Sequence, residues 1–377
     1  MTGEDYVTGL GSLVPRTCAA FCAACLAAGT RHIDRLMTSV GYHLVVMRLQ
    51  APLQFPSRTA RIRHSLRSCK VRHAFAIAVA VALLLVPQAR AARSWPDTRF
   101  RIVPFADQLP GSLSETQRWF AATKFAGTQK MLRSEIRALR SYNTNFLCLH
   151  YQLGVGAGAQ PFSRGDAWVS DWSVVNAQTN WFLRSSAGQR VHQTAWNWDV
   201  MDIRYTNGLP VTGFPAYWIS NCVDRIQAAE DDAVFADSFT PDAYGFGQSN
   251  PTHPWLTDVD LCRANWVPNL EQFGRAIRQA LEGPNNFLFL PNLGGLVTSW
   301  LNLDYGLGHG GMIEGFAFWG PDSYFDPADW ALQMDRTLAL VRSNKVLICQ
   351  SYPAAGSATE RMFATASYLL SRVAPPT

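Results

Sequence analysis

Asp231-Asp-Ala-Val-Phe-Ala-Asp237-Ser and Met312-Ile-Glu-Gly-Phe-Ala-Phe-Trp319 are the stretches on which the fold turns. In each, an uncharged run of strand length leads into a single carboxylate, Asp237 or Glu314. Short apolar runs bounded by polar residues are the mark of strands buried on both faces, as in a parallel sheet covered by helices. Functional side chains of such sheets gather at the carboxyl ends of the strands, so the two acids are expected on one rim.

The same pattern extends outward. Strand-like runs recur at Arg101–Phe105, Phe125–Gln129, Phe146–His150, Val191–Trp198, Ala233–Ala236, Phe287–Leu290, Met312–Phe318 and Val346–Gln350. Helical patterns fall between several of them, at Lys130–Arg140, Tyr217–Glu230, Leu270–Leu281, Asp329–Ser343 and Ala358–Arg372. Alternating strands and helices point to an α/β fold with a parallel sheet. A doubly wound sheet would want a Gly-rich phosphate turn after its first strand, and the sequence has none. A (β/α)8 TIM-type barrel is therefore expected. It reaches eight strands only if Arg101–Phe105 supplies one; otherwise it is truncated at its last βα unit, before Pro375-Pro-Thr377.

Residues 1–91 read as a leader and 92–377 as a single domain. Arg58, Arg61, Arg63, Arg67, Lys70 and Arg72 precede an uncharged apolar run at 74–86, and Ala89-Arg-Ala91 has the small-x-small form of a signal peptidase site. The run is too short to cross a bilayer, so the expectation is export to the periplasm or medium after cleavage near Ala91, without stable membrane insertion. Met47 offers a later start, and no stable fold is expected before Ala91. The chain carries a net charge of +5, yet the leader alone holds +8 of it, leaving the remainder mildly acidic. That balance argues against a nucleic-acid partner. Cys148 and Cys349 lie in apolar runs and read as core residues, while export permits Cys222 and Cys262 to pair.

Asp237 and Glu314 are the candidate catalytic residues. Either could be structural, Asp237 capping a turn and Glu314 pairing with an Arg. As a pair on one rim, however, an Asp and a Glu are what glycosidic bond cleavage requires. Glu314 sits among Met312, Ile313, Phe316 and Phe318, surroundings that keep a carboxyl protonated and suit a general acid; Asp237 would then be nucleophile or base. All 13 tryptophans follow Ala91, and Trp196, Trp198 and Trp319 at strand ends suit stacking on sugar rings. Polar residues at other strand ends complete a candidate carbohydrate-binding set: Lys130, His150, Tyr151, Asp199, Asp202, Asn292, Gln350 and Tyr352. The sequence lacks His-x-His, H-E-x-x-H, G-x-S-x-G and Walker patterns, and neither a metal nor a cofactor is expected. The alternative is a non-catalytic carbohydrate-binding barrel with the same aromatic rim.

Gly127-Thr-Gln-Lys130, Asn145-Phe-Leu-Cys-Leu-His-Tyr151, Trp196-Asn-Trp-Asp-Val-Met-Asp202, Val234-Phe-Ala-Asp237 and Gly311-Met-Ile-Glu-Gly-Phe316 together resemble hypothetical glycosyl hydrolase family 15, over roughly residues 100–372. The resemblance implies a (β/α)8 barrel that hydrolyses O-glycosidic bonds of a poly- or oligosaccharide, with its acids at Asp237 and Glu314. The chain departs from that pattern at its end, where a final strand is expected.

Overall fold

The computed structural model describes residues 43–47, 93–98, 101–159, 172–194, 197–239, 250–283, 286–298 and 303–372. Its principal strands are β1 (His43–Met47), β2 (Pro104–Phe105), β3 (Gly127–Gln129), β4 (Leu147–Leu153), β5 (Ala233–Asp237), β6 (Leu288–Pro291), β7 (Gly310–Glu314) and β8 (Val346–Ser351). The principal helices are α1 (Glu115–Lys124), α2 (Arg133–Arg140), α3 (Phe214–Ala229), α4 (Val267–Glu282), α5 (Pro327–Arg342) and α6 (Ala358–Ser371). The fold is mixed α/β with parallel sheet and helices, as the alternating pattern requires.

Strands β6, β5, β4 and β3 form one four-stranded sheet in that order, all parallel. A second sheet runs β7, β8, β1, β2, with β7 and β8 parallel and β1 antiparallel to both its neighbours. Isolated parallel bridges, Asn292 to Met312 and Gln108 to Gln129, link the outer strands of the two sheets. The edge of β8 away from β7 is occupied by β1, a strand within residues 1–91, where none was expected. The remaining leader features, including the apolar run 74–86 and the Ala89-Arg-Ala91 motif, lie outside the described residues. Among the described residues no helix is long and apolar enough to cross a membrane.

Two expected strands are corrected. Val191–Trp198 is a hairpin, not a continuous strand: His192–Gln193 pairs antiparallel with Trp198–Val200. Asn197, just before the second of these strands, adopts a left-handed backbone with φ +57°. Met312–Phe318 ends as a strand at Glu314, because Gly315 (φ +73°) and Ala317 (φ +70°) turn the backbone away. Helix α1 was not expected from apolar spacing. Its start is set by a capping box, in which Ser114 Oγ accepts from Gln117 N and Gln117 Oε1 accepts from Ser114 N.

Two-residue periodicity divides each strand between two cores. Leu147, Leu149, Ala233, Phe235, Leu290, Met312, Val346 and Ile348 share one buried cluster on the inner face. Val234, Ala236, Phe289, Ile313, Leu347 and Cys349 face the larger cluster formed with α3, α4 and α5. Cys148 packs outward with Ile136 and Leu139 of α2. Cys222 and Cys262 are both buried in the larger cluster. At the amino ends of the strands, Asp232 receives Arg140 and Arg93, each at 2.7 Å, and the Cys148 amide at 2.9 Å. That network ties β4, β5 and α2 together on the side away from the carboxylates.

Candidate active site

Continuing the inner-face alternation by one step past the apolar cluster reaches Tyr151 on β4, Asp237 on β5, Asn292 after β6, Glu314 on β7 and Gln350 on β8. Period-two geometry thus delivers side chains from five strands to one end of the sheet. The backbone turns sharply there: Lys130 after β3 (φ 61°), Ser238 after β5 (φ 53°) and Gly315 after β7 are all left-handed. Non-glycine residues hold that conformation at an energetic cost, and such positions cluster at functional sites.

The hydrogen bonds form a continuous chain. Asn292 Nδ2 donates to Asp237 Oδ1 at 2.9 Å and to Glu314 Oε2 at 2.7 Å, bridging the two acids. Tyr151 donates its hydroxyl to Asp237 Oδ2 at 2.5 Å, and the Ser238 amide donates to Oδ1 at 2.7 Å. Tyr352 donates to Glu314 Oε1 at 2.6 Å. The Lys130 ammonium lies 4.4 Å from the centre of the Tyr151 ring. Asp237, Asn292, Glu314, Tyr151 and Tyr352 all keep partial solvent exposure.

Electrostatics acts strongly on Glu314. Glu314 is pushed up to about 7, first by burial and then by the charge of Asp237, against the opposing hydrogen bonds from Tyr352 and Asn292. Asp237 receives three donors, from Tyr151, the Ser238 amide and Asn292. Burial and the neighbouring carboxylates hold the Tyr151 and Tyr352 hydroxyls well above the usual tyrosine range, so both remain donors.

A third acid joins the rim. Asp107, two residues past β2, accepts a hydrogen bond from Gln129 Nε2, and its charge raises Glu314, Tyr151 and Tyr352. The sequence carried a signal for it, because Phe105-Ala-Asp107 repeats the strand-to-acid form of Phe235-Ala-Asp237.

Of the other sequence candidates, Gln350 is buried opposite Glu314 in register, and Trp319 stands on Gly315 with its ring edge-on to Phe325. Trp198 and Asp199 belong to the small sheet that opens three residues past β4, where Trp198 lies against Gly156. There Asp199 pairs with His192 at 2.9 Å and Arg190 at 3.2 Å. Asp202 is not brought to the acids: it is buried and clamps Arg204 with both oxygens, at 2.8 and 2.6 Å. His150 is likewise absent from the group, since it occupies the face of β4 opposite Tyr151, fully buried, 3.7 Å from Asp231. Trp196 lies outside the described residues. Among the described residues no set of three or more His, Cys, Asp or Glu is gathered as a metal ion would need.

The profile of hypothetical glycosyl hydrolase family 15 matches residues 140–375, well over half of the chain. The chain belongs to this family. Within hypothetical glycosyl hydrolase family 15 the matched region takes in Tyr151, Asp237, Asn292, Glu314 and Tyr352, and begins after Asp107, Gln129 and Lys130. Comparison with curated proteins returned no match.

Proposed function

We propose that the protein is a glycoside hydrolase, exported to the periplasm or medium, that cleaves O-glycosidic bonds of a poly- or oligosaccharide on a (β/α)8-type scaffold. The observation that carries this reading is the Asp237–Asn292–Glu314 bridge at the carboxyl ends of β5, β6 and β7. Glu314, protonated near neutral pH by burial and by its charged neighbour, donates to the leaving oxygen. Asp237, held by three donors, acts on the anomeric carbon or on the attacking water. Family membership supports the reaction class. The two bridges linking the sheets support the barrel. Leader composition supports export.

Affinity electrophoresis in gels cast with different polysaccharides, paired with hydrolysis of the same polymers, tests the proposal. Glu314→Gln should still be retarded by the polymer that the wild type cleaves, while releasing no product from it. Retardation of a well-folded wild type without cleavage of any polymer would instead identify a carbohydrate-binding protein.

A further inference from the structure

The bridge fixes more than the identity of the two acids. Asp237 Oδ1 and Glu314 Oε2 lie 2.9 and 2.7 Å from one nitrogen, Asn292 Nδ2. Sharing that nitrogen keeps those two oxygens no more than about 5.6 Å apart, and about 5 Å where each takes one of the two amide hydrogens. Enzymes that invert the anomeric centre hold their carboxyls roughly 6.5–9.5 Å apart to admit a water between base and sugar; those that retain it use roughly 5–5.5 Å. We infer that this protein hydrolyses its substrate with retention, through a glycosyl ester on Asp237, and that Asn292 is the positioning residue that sets the spacing.

This inference rests on the glycosidase reading and adds its stereochemical course. In the first step an Asp237 oxygen bonds to the anomeric carbon as the bond to the leaving oxygen breaks. The released electron pair takes up the Glu314 proton, so an alcohol departs and Glu314 is left ionised. In the second step water bonds to the anomeric carbon, gives a proton to Glu314 and displaces the Asp237 carboxylate. The net change is one water consumed and one glycosidic bond cleaved, with two inversions restoring the starting configuration. The donors on Asp237 suit this role: Tyr151 and Asn292 stabilise the carboxylate as the ester breaks and keep its oxygens directed along the rim.

The full-length chain is given the polymer it cleaves, together with 2,4-dinitrophenyl α- and β-glycosides of the released sugar, and the first-formed product is followed by proton NMR. Appearance of the substrate's own anomer before mutarotation is the expected result. First appearance of the opposite anomer overturns the inference while leaving the glycosidase reading intact. A folded protein that cleaves no glycan or aryl glycoside fails the glycosidase reading itself. Azide with the dinitrophenyl glycoside separates the roles: Glu314→Ala should yield glycosyl azide of retained configuration and Asp237→Gly that of inverted configuration. Exchange of those two outcomes would assign the nucleophile to Glu314 and overturn the inference. Asn292→Ala, as a positioning variant, should lose at least tenfold in kcat with KM nearly unchanged. It should also move the alkaline limb of its pH profile upward, because a donor to ionised Glu314 is gone. A variant with an unmoved limb would make Asn292 merely structural.

Discussion

At the scale of single residues, the account depends on Glu314 holding a proton that an ordinary glutamate would lose. Burial and the Asp237 charge raise it to about 7, so activity should fall as pH rises through that value. A titration of the Glu314 carboxyl by carbon NMR should find it lower in Asp237→Asn, where the neighbouring charge is absent. The same shift has a stability consequence. A carboxyl whose folded pKa lies above its unfolded one favours folding at low pH and loses that contribution as pH climbs through about 7. Glu314→Gln should therefore melt above the wild type at pH 8, by calorimetry, although its turnover falls about 10²–10⁴-fold. Both acids were legible in the sequence because each ends an apolar strand. Asp107 was legible by the same rule once Pro104–Phe105 is counted as a strand. His150 misled because strand position is visible in sequence whereas the face of the strand depends on register, and register places Tyr151, not His150, inward.

At the scale of elements, the carboxylate end is held in place from the opposite end of the strands. Asp232 joins Arg93, Arg140 and the β4 backbone, with Asp232 and Arg140 both nearly buried. Asp232→Ala removes the carboxylate that Arg93 and Arg140 share and should destabilise the fold by about 3–5 kcal/mol in urea titration. On the other side of the sheet, Phe289 is fully buried among Phe239, Phe273 and their neighbours, and Phe289→Ala should cost a similar 3–5 kcal/mol or so through the cavity it leaves. The parallel strands and five of the helices were readable from apolar spacing. The hairpin inside Val191–Trp198 was not, because no Gly or Pro breaks the run between its two strands. Helix α1 was missed for the complementary reason: its start lies in the polar pair Ser114 and Gln117.

At the scale of the whole molecule, the edge of β8 away from β7 is taken by β1, with five register pairs. An uncovered edge of β8 would be open to pairing with other chains. A chain beginning at residue 92 should accordingly melt at least about 2 °C below one beginning at residue 43. Nothing in local sequence marks His43–Met47 as a partner for Val346–Ser351, since the pairing joins segments some three hundred residues apart and its antiparallel sense departs from the alternating βα pattern. The rim is legible because each strand announces its own end. Which strand pairs with β8 is a property of the assembled sheet alone.

The central claim is that Asp237 and Glu314 together hydrolyse a glycosidic bond. Its most direct test is release of reducing ends from a panel of polysaccharides by the full-length wild type, with Asp237→Asn and Glu314→Gln run at equal concentration after each is shown to melt cooperatively. The account predicts release from at least one polymer by the wild type and a loss of at least about 10²-fold in both variants. Undiminished release by either variant, or none by a folded wild type, would contradict it.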